Sequence, residues 1–190
     1  MPNYVLTGAP GAGKTAIIRQ LELNGHRVVE EAATDVIALE QALGQPEPWV
    51  SGAFIDKIIE LQRRRQAAAA GPAGGIVFFD RSPVCTLALG RWLGFAESPL
   101  LAAEVQRVVQ SGSYARTVFF VRHVGFIEHT AARRISLADS LAFEEVHERT
   151  YSELGFRLVD VPPGPLADRV AVVRREVGGL EGQWRRNALA

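Results

Sequence analysis

Residues Gly8 to Thr15 read GAPGAGKT, between a short apolar run, Asn3 to Thr7, and an apolar-periodic stretch, Ala16-Ile17-Ile18-Arg19-Gln20-Leu21. The octet fits the pattern G-x-x-x-x-G-K-[ST], and its flanks are the strand and helix that the pattern requires. Gly8, Gly11 and Gly13 keep the backbone clear of side chains, so successive N–H groups can turn inward around an anion at a helix N-terminus. Lys14 adds a point charge. Thr15 adds a hydroxyl suited to Mg2+, a hard cation that takes few protein oxygens and keeps waters. The stretch predicts a cradle for nucleoside triphosphate phosphates, with Gly8, Ala9, Pro10, Gly11, Ala12, Gly13, Lys14, Thr15 and Ala16 as its binding residues. ATP is the default; GTP is not excluded, although no N-K-x-D type segment follows the fourth predicted strand.

Outward from the octet, short Val/Ile/Phe-rich runs alternate with longer helical patterns, the sign of βαβ units and a parallel sheet. Five strands are predicted: Asn3 to Thr7, Arg27 to Glu30, Gly75 to Asp80, Thr117 to Arg122 and Phe156 to Val161. The runs IVFFD and TVFFV are apolar on both alternating faces, as in central strands covered on either side. Helices are predicted over Lys14 to Leu23, Glu31 to Leu43, Val50 to Ala70, Pro83 to Trp92, Pro99 to Ser111, Leu137 to Leu154 and Pro165 to Val177. The expected architecture is a three-layer α/β sandwich, a five-stranded parallel sheet of order 2-3-1-4-5 with helices on both faces. One domain spans 1–178, with an arginine-bearing segment over about 123–137; residues 179–190 read as a loosely held polar tail.

The 190 residues are 47% hydrophobic and 22% charged, a globular composition with enough apolar surface for a core. Lys plus Arg and Asp plus Glu number 21 each, so no global field draws the chain to nucleic acid or an anionic membrane. No run of eighteen apolar residues marks a span, and the expected location is cytoplasmic. A homodimer is compatible with the sequence. The lone Cys85 forms no internal disulfide and reads as a small buried hydrophobe, and His26, His123, His129 and His147 match no zinc spacing.

Four further places carry chemistry. In GGIVFFDRS, Asp80 ends a central strand where a doubly wound sheet opens onto its ligand crevice, as a partner for the metal or as part of a helix N-cap with Ser82. Arg81 beside it either grips a second anionic group or makes a structural ion pair. The second strand delivers Glu30 and Glu31 to opposite sides of the same edge. Glu31 serves as acceptor base or favours the next helix through its dipole, the role that suits Glu30. Arg133 and Arg134 follow the fourth strand and either stabilise the transferring charge in cis or pair with Glu144, Glu145 or Glu148.

TGAPGAGKT, VVEEAATDVI, FFDRS, RRISLADSLAFEEVHERTY and ELGFRLVDVP leading into ADRV together resemble the P-loop kinases of the nucleoside and nucleotide kinase group. More closely, they resemble a set of AAA-labelled P-loop proteins known as predicted ATPases or kinases. The resemblance implies a metal-linked acid at Asp80, a phosphate-binding arginine at Arg81 and a base at Glu31. It also implies a lid carrying Arg133, Arg134, Glu144 and Tyr151, and a base-contacting loop at Pro162-Pro163-Gly164, with Pro163 against the nucleotide. Thr34 departs from the set, which usually shows an arginine in this stretch, and no hexameric-motor arrangement is present. The implied activity is Mg2+-dependent phosphoryl transfer from ATP to a small acceptor, a nucleoside or nucleotide among the candidates. The competing expectation is an ATPase or GTPase switch that regulates a protein partner without an acceptor.

Overall fold

The structure, a computed structural model, describes residues 3–70, 75–123 and 136–187. Five strands, β1 (Asn3–Thr7), β2 (Arg27–Val29), β3 (Val77–Asp80), β4 (Thr117–Val121) and β5 (Arg157–Val161), form one parallel sheet in the order β2-β3-β1-β4-β5. The helices are α1 (Lys14–Leu23), α2 (Ala32–Ala42), α3 (Ala53–Ala69), α4 (Pro83–Trp92), α5 (Pro99–Ser111), α6 (Leu137–Glu153) and α7 (Leu166–Asn187). The predicted order and the parallel direction are both present.

Every residue of β3 and β4 is buried, whereas the edge strands β2 and β5 are partly exposed. Side-chain alternation along the strands divides the core into two layers. Tyr4, Leu6, Phe78, Phe119 and Val121 pack with Ile17, Ile18 and Leu21 of α1 and Val170 and Val173 of α7. Val5, Val77, Phe79 and Val118 face the other way, onto Val84 of α4, Val108 of α5 and Tyr151 of α6. A third cluster, with Val36, Ile58, Ile59, Leu87 and Leu101, fastens α2 and α3 to α4 and α5.

Local chemistry sets the helix starts. Ser98 and Ser136 cap α5 and α6 by accepting the backbone N–H of Leu101 and Asp139 at 3.1 Å each. Most boundaries shift by one or two residues from the sequence reading, and three of the differences have a clear local cause or consequence. α3 starts at Ala53 instead of Val50, because Pro48–Val50 closes a separate 3₁₀ turn and Gly52 intervenes. β2 stops at Val29, which leaves Glu30 and Glu31 as the link into α2. α7 continues to Asn187, through the stretch read as a loose tail. Each interior glycine, Gly178, Gly179 and Gly182, costs a helix about 1 kcal/mol against alanine, but no proline follows, and Leu180, Glu181, Gln183, Arg185 and Arg186 are good helix formers. Among the described residues, no helix is long and apolar enough to cross a membrane.

Candidate active site

The carboxyl ends of β1 and β3, with the link after β2, surround one crevice. At the end of β1 the chain enters Gly8 with φ 129°, where a Cβ would lie 2.3 Å from the Val121 carbonyl oxygen, so only glycine lets the loop leave the sheet beside β4. Gly11 and Gly13 also have positive φ, 82° and 83°. Gly13 occupies the N-cap of α1 in the left-handed conformation and has no side chain to cap the helix. The first N–H groups of α1 are therefore left for an external acceptor, which is the physical requirement for binding phosphate there. Thr15 and Ala16 are exposed at this mouth, while Ala9 and Ala12 are buried beneath it.

Lys14 bends its ammonium back over the loop and donates from Nζ to the carbonyls of Gly8 at 3.0 Å and Ala9 at 2.9 Å. These oxygens occupy the role that phosphate oxygens would take. Burial, reinforced by the charge of Arg81, pulls the Lys14 pKa down to about 8, against the opposing pull of Asp80 and Glu31.

Arg81 follows the last residue of β3 and, among the described residues, is the single non-glycine with positive φ, 72°. Its N–H still bonds the Leu6 carbonyl at 3.0 Å, so the turn is anchored to the sheet while the side chain swings across β3. A left-handed arginine costs about 1–3 kcal/mol and persists only where its surroundings hold it. Here Nε donates to Oε1 of Glu31 in an ion pair, and Nη1 lies 3.3 Å from Nε2 of His147. His147 donates from Nδ1 to the Phe143 carbonyl at 3.0 Å, which leaves Nε2 as the acceptor for Arg81. Burial and the neighbouring guanidinium hold the His147 pKa well below its ordinary value, so the ring is neutral.

Glu31 stands at the N-cap position of α2, yet its side chain caps nothing. It accepts from Arg81 and, at 3.0 Å, from the Thr34 hydroxyl. Burial pushes its carboxyl upward, but the charges of Arg81 and Lys14 outweigh this and hold it below the usual range. Thr34, where the resembling proteins carry an arginine, thus supports the carboxylate that Arg81 already neutralises. Glu30 is exposed and pairs with Arg19 of α1, so the predicted alternation puts one glutamate in the crevice and the other on the surface.

Asp80 is buried at the end of β3. Ser82 holds the N-cap of α4 ahead of Pro83 but makes no cap bond; its hydroxyl lies 2.6 Å from the Tyr151 hydroxyl. Tyr151 also lies 3.0 Å from the Cys85 thiol, which in turn lies 3.1 Å from the Thr7 hydroxyl. Cys85 is the buried helical residue the sequence suggested, and Tyr151 braces the crevice floor.

Next to the loop lies a cavity of about 770 Å³. Gly13, Lys14 and Thr15 line one end, Glu31 and Arg81 its side, and Trp49, Phe54, Trp92 and Phe143 an aromatic wall with the amide of Gln62. Trp92 and Phe143 have ring centroids 5.6 Å apart. The Gln62 carbonyl is itself bonded by the Thr86 hydroxyl at 3.0 Å, which fixes which end of the amide is committed.

Of the predicted site residues, Pro10, Gly11, Gly13, Lys14, Thr15, Glu31 and Arg81 line this cavity, while Asp80 is buried at the end of β3, close enough for its charge to act on Lys14 and Arg81. Arg133 and Arg134 lie outside the described residues; of the glutamates expected as their alternative partners, Glu144 and Glu148 accept from Arg122 at 3.2 Å and 2.8 Å. Pro163 is exposed in the link between β5 and α7. The sequence reading missed Gln62, Trp92 and Phe143 of the cavity, and also His147 and Arg169. Arg169 of α7 is buried and donates from Nη2 to the carbonyls of Ala12 at 2.8 Å and Arg122 at 3.2 Å. Both sit on the buried stripe of their helices, His147 four residues from Phe143 and Tyr151, Arg169 four from Val173. A polar residue at apolar-stripe spacing was the signal that could have found them.

A family model described as AAA domain matches residues 3–169. No curated protein matches the chain. Among solved structures it is similar to NadR protein in complex with NAD and AMP-PNP, with TM-score 0.69 and 18% identity over 93% of this chain and 49% of that one. NadR protein in complex with NR gives 0.64 and 19% over 84% and 43%. Deoxyadenosine kinase from M. mycoides with dCMP and dCDP bound gives 0.62 and 11% over 94% and 99%. The chain spans about half the length of the NadR chains. At these identities the likeness shows the fold alone, the α/β fold of P-loop kinases.

Proposed function

The chain belongs to the AAA-domain family, and on that premise we propose that it transfers the terminal phosphoryl group of ATP to a hydroxyl of a small acceptor, a nucleoside or nucleotide. The observation that carries this reading is Glu31, an ionised carboxylate at the junction where the phosphate loop meets an aromatic cavity. A nucleotide switch has no need of such a cavity. The loop N–H groups and Lys14 hold the β and γ phosphates. Thr15 and Asp80 are the residues that would hold Mg2+, which takes few protein oxygens and, when bound, neutralises phosphate charge. Glu31 takes the proton of the acceptor hydroxyl, or orients it, as the hydroxyl oxygen attacks phosphorus. Arg81, fixed by Glu31 and His147, faces the transferring group or a phosphate on the acceptor. Arg133 or Arg134 adds charge to the transition state, and the link around Pro163 lies against the base of ATP. The aromatic wall suits a planar ring, and Gln62 keeps an amide N–H2 for it.

A thermal-shift screen of nucleosides, nucleotides and small alcohols, with and without AMP-PNP and Mg2+, tests the reading. The expected result is one acceptor class that raises Tm beyond the shift given by AMP-PNP alone and then gains phosphate from ATP. If AMP-PNP stabilises the protein and no acceptor adds to it, the crevice serves a nucleotide switch instead.

A further inference from the structure

Arg169 is 5% exposed, yet among the described residues it makes no ion pair, and its Nε is buried without a hydrogen-bond partner. A guanidinium withdrawn from water without a carboxylate is costly, and such a group persists where other interactions compensate it. Burial shifts its pKa downward, and no charge among the described residues offsets that penalty. Its polar partners are backbone carbonyls, those of Ala12 in the phosphate loop and Arg122 at the end of β4.

The contact with Ala12 has a directional consequence. The peptide joining Ala12 to Gly13 is trans and planar, so its C=O and N–H point opposite ways. With the Ala12 oxygen held by Arg169 at 2.8 Å, the Gly13 N–H is turned away from Arg169. Gly13 permits this approach twice over. Its φ is 83°, and a Cβ there would stand 2.7 Å from Nη1 of Arg169. The guanidinium therefore lies against the outer face of the last loop residue before Lys14.

We propose that Arg169 is a positioning residue for the nucleotide phosphates: it fixes the Ala12–Gly13 peptide so that the Gly13 N–H aims at the anion, and it backs the loop with a permanent positive charge. The inference rests on nucleotide binding at this loop. Bound phosphate would bring Arg169 a negative charge that no described residue supplies, so occupancy of the loop would relieve the burial of the guanidinium. Arg169 also ties the loop to the end of β4 and, through α7, to the link that carries Pro163.

The test measures Mg2+–AMP-PNP affinity by calorimetry, and Tm without ligand, for the wild type, Arg169→Met and Arg169→Lys. Methionine keeps the apolar stem and removes charge and hydrogen bonds; lysine keeps the charge and loses the planar fork. The expected result is an affinity about tenfold or more weaker for Arg169→Met. Arg169→Lys should fall between Met and wild type, and the ligand-free Tm of Arg169→Met should stay level or rise, because a costly buried charge is gone. An Arg169→Met protein that binds AMP-PNP as tightly as wild type overturns the proposal, as does a loss of Tm with affinity unchanged. Should Arg169→Met fail to fold, Arg169→Lys decides: wild-type affinity overturns the proposal, and a measurable loss with Tm retained upholds it. A wild type that binds no AMP-PNP overturns the nucleotide reading itself, and this inference with it.

Discussion

Of the two proposed halves of the crevice, that for phosphate comes from one unbroken stretch, Gly8 to Thr15, and would work through backbone N–H groups. The acceptor half is assembled from separate places: Glu31 before α2, Trp49 in the 3₁₀ turn, Phe54 and Gln62 on α3, Arg81 after β3, Trp92 on α4 and Phe143 on α6. The first half is specified by conformation, three glycines with positive φ and an uncapped helix start. The second is specified by side-chain identity. Substitutions should therefore separate them: backbone changes harm phosphate binding and folding together, whereas acceptor-side changes alter catalysis or acceptor binding and leave the nucleotide alone.

The largest effect is expected at Glu31. Glu31→Gln should lower kcat by about 10²–10⁴-fold, the range for loss of a general base. The Kd for AMP-PNP, read by calorimetry, should be unchanged; a parallel loss of nucleotide affinity would move Glu31 into the phosphate half. Next comes Gly8→Ala, whose Cβ would lie 2.3 Å from the Val121 oxygen at φ 129°. Crowding of this kind costs about 1–3 kcal/mol. Tm and nucleotide affinity should fall together in thermal melts and calorimetry, and a change in affinity alone would contradict the loop-to-β4 contact.

Trp92→Ala removes one wall of the cavity and should raise the acceptor KM by about tenfold, with the ATP KM unaffected in steady-state assays. An equal rise in both would show that the halves are not separable. The smallest effects are those of pH. With the free-protein pKa of Lys14 at about 8, nucleotide binding above that pH must recapture a proton. Affinity should decline as pH rises, with a limit of about tenfold per unit, and Lys14→Arg should flatten the profile. His147 has a folded pKa depressed below the unfolded value, so its stability contribution is complete above about 6.5 and is lost as pH falls toward the folded value. Tm against pH should show this loss, and His147→Gln should reduce it.

The same contrast decides what was legible in the sequence. GAPGAGKT declares itself because its partners are neighbours in the chain, and runs such as VFFD and TVFFV, apolar on both faces, marked β3 and β4 as interior strands of the doubly wound sheet. Glu30 and Glu31 could not be separated by composition, but alternation at the strand edge said they part, and the fold sends Glu31 inward. Arg169 and His147 were illegible as site residues because their partners, Ala12 and Arg81, are 157 and 66 residues away. Nothing local distinguishes ADRV from an ordinary polar helix start until the arginine is seen in register with Val173 and Val177. The end of α7 was misjudged for the opposite reason, since two adjacent glycines are a strong local stop signal that the helix formers after them outweigh.

If both proposed halves serve one reaction, ADP and phosphorylated acceptor form together, and their ratio measures it. With the acceptor identified by thermal shift supplied in excess, one phosphorylated acceptor is expected for each ADP, with little ADP formed in its absence. ADP that accumulates at the same rate with or without acceptor, and with no phosphorylated product, would contradict it.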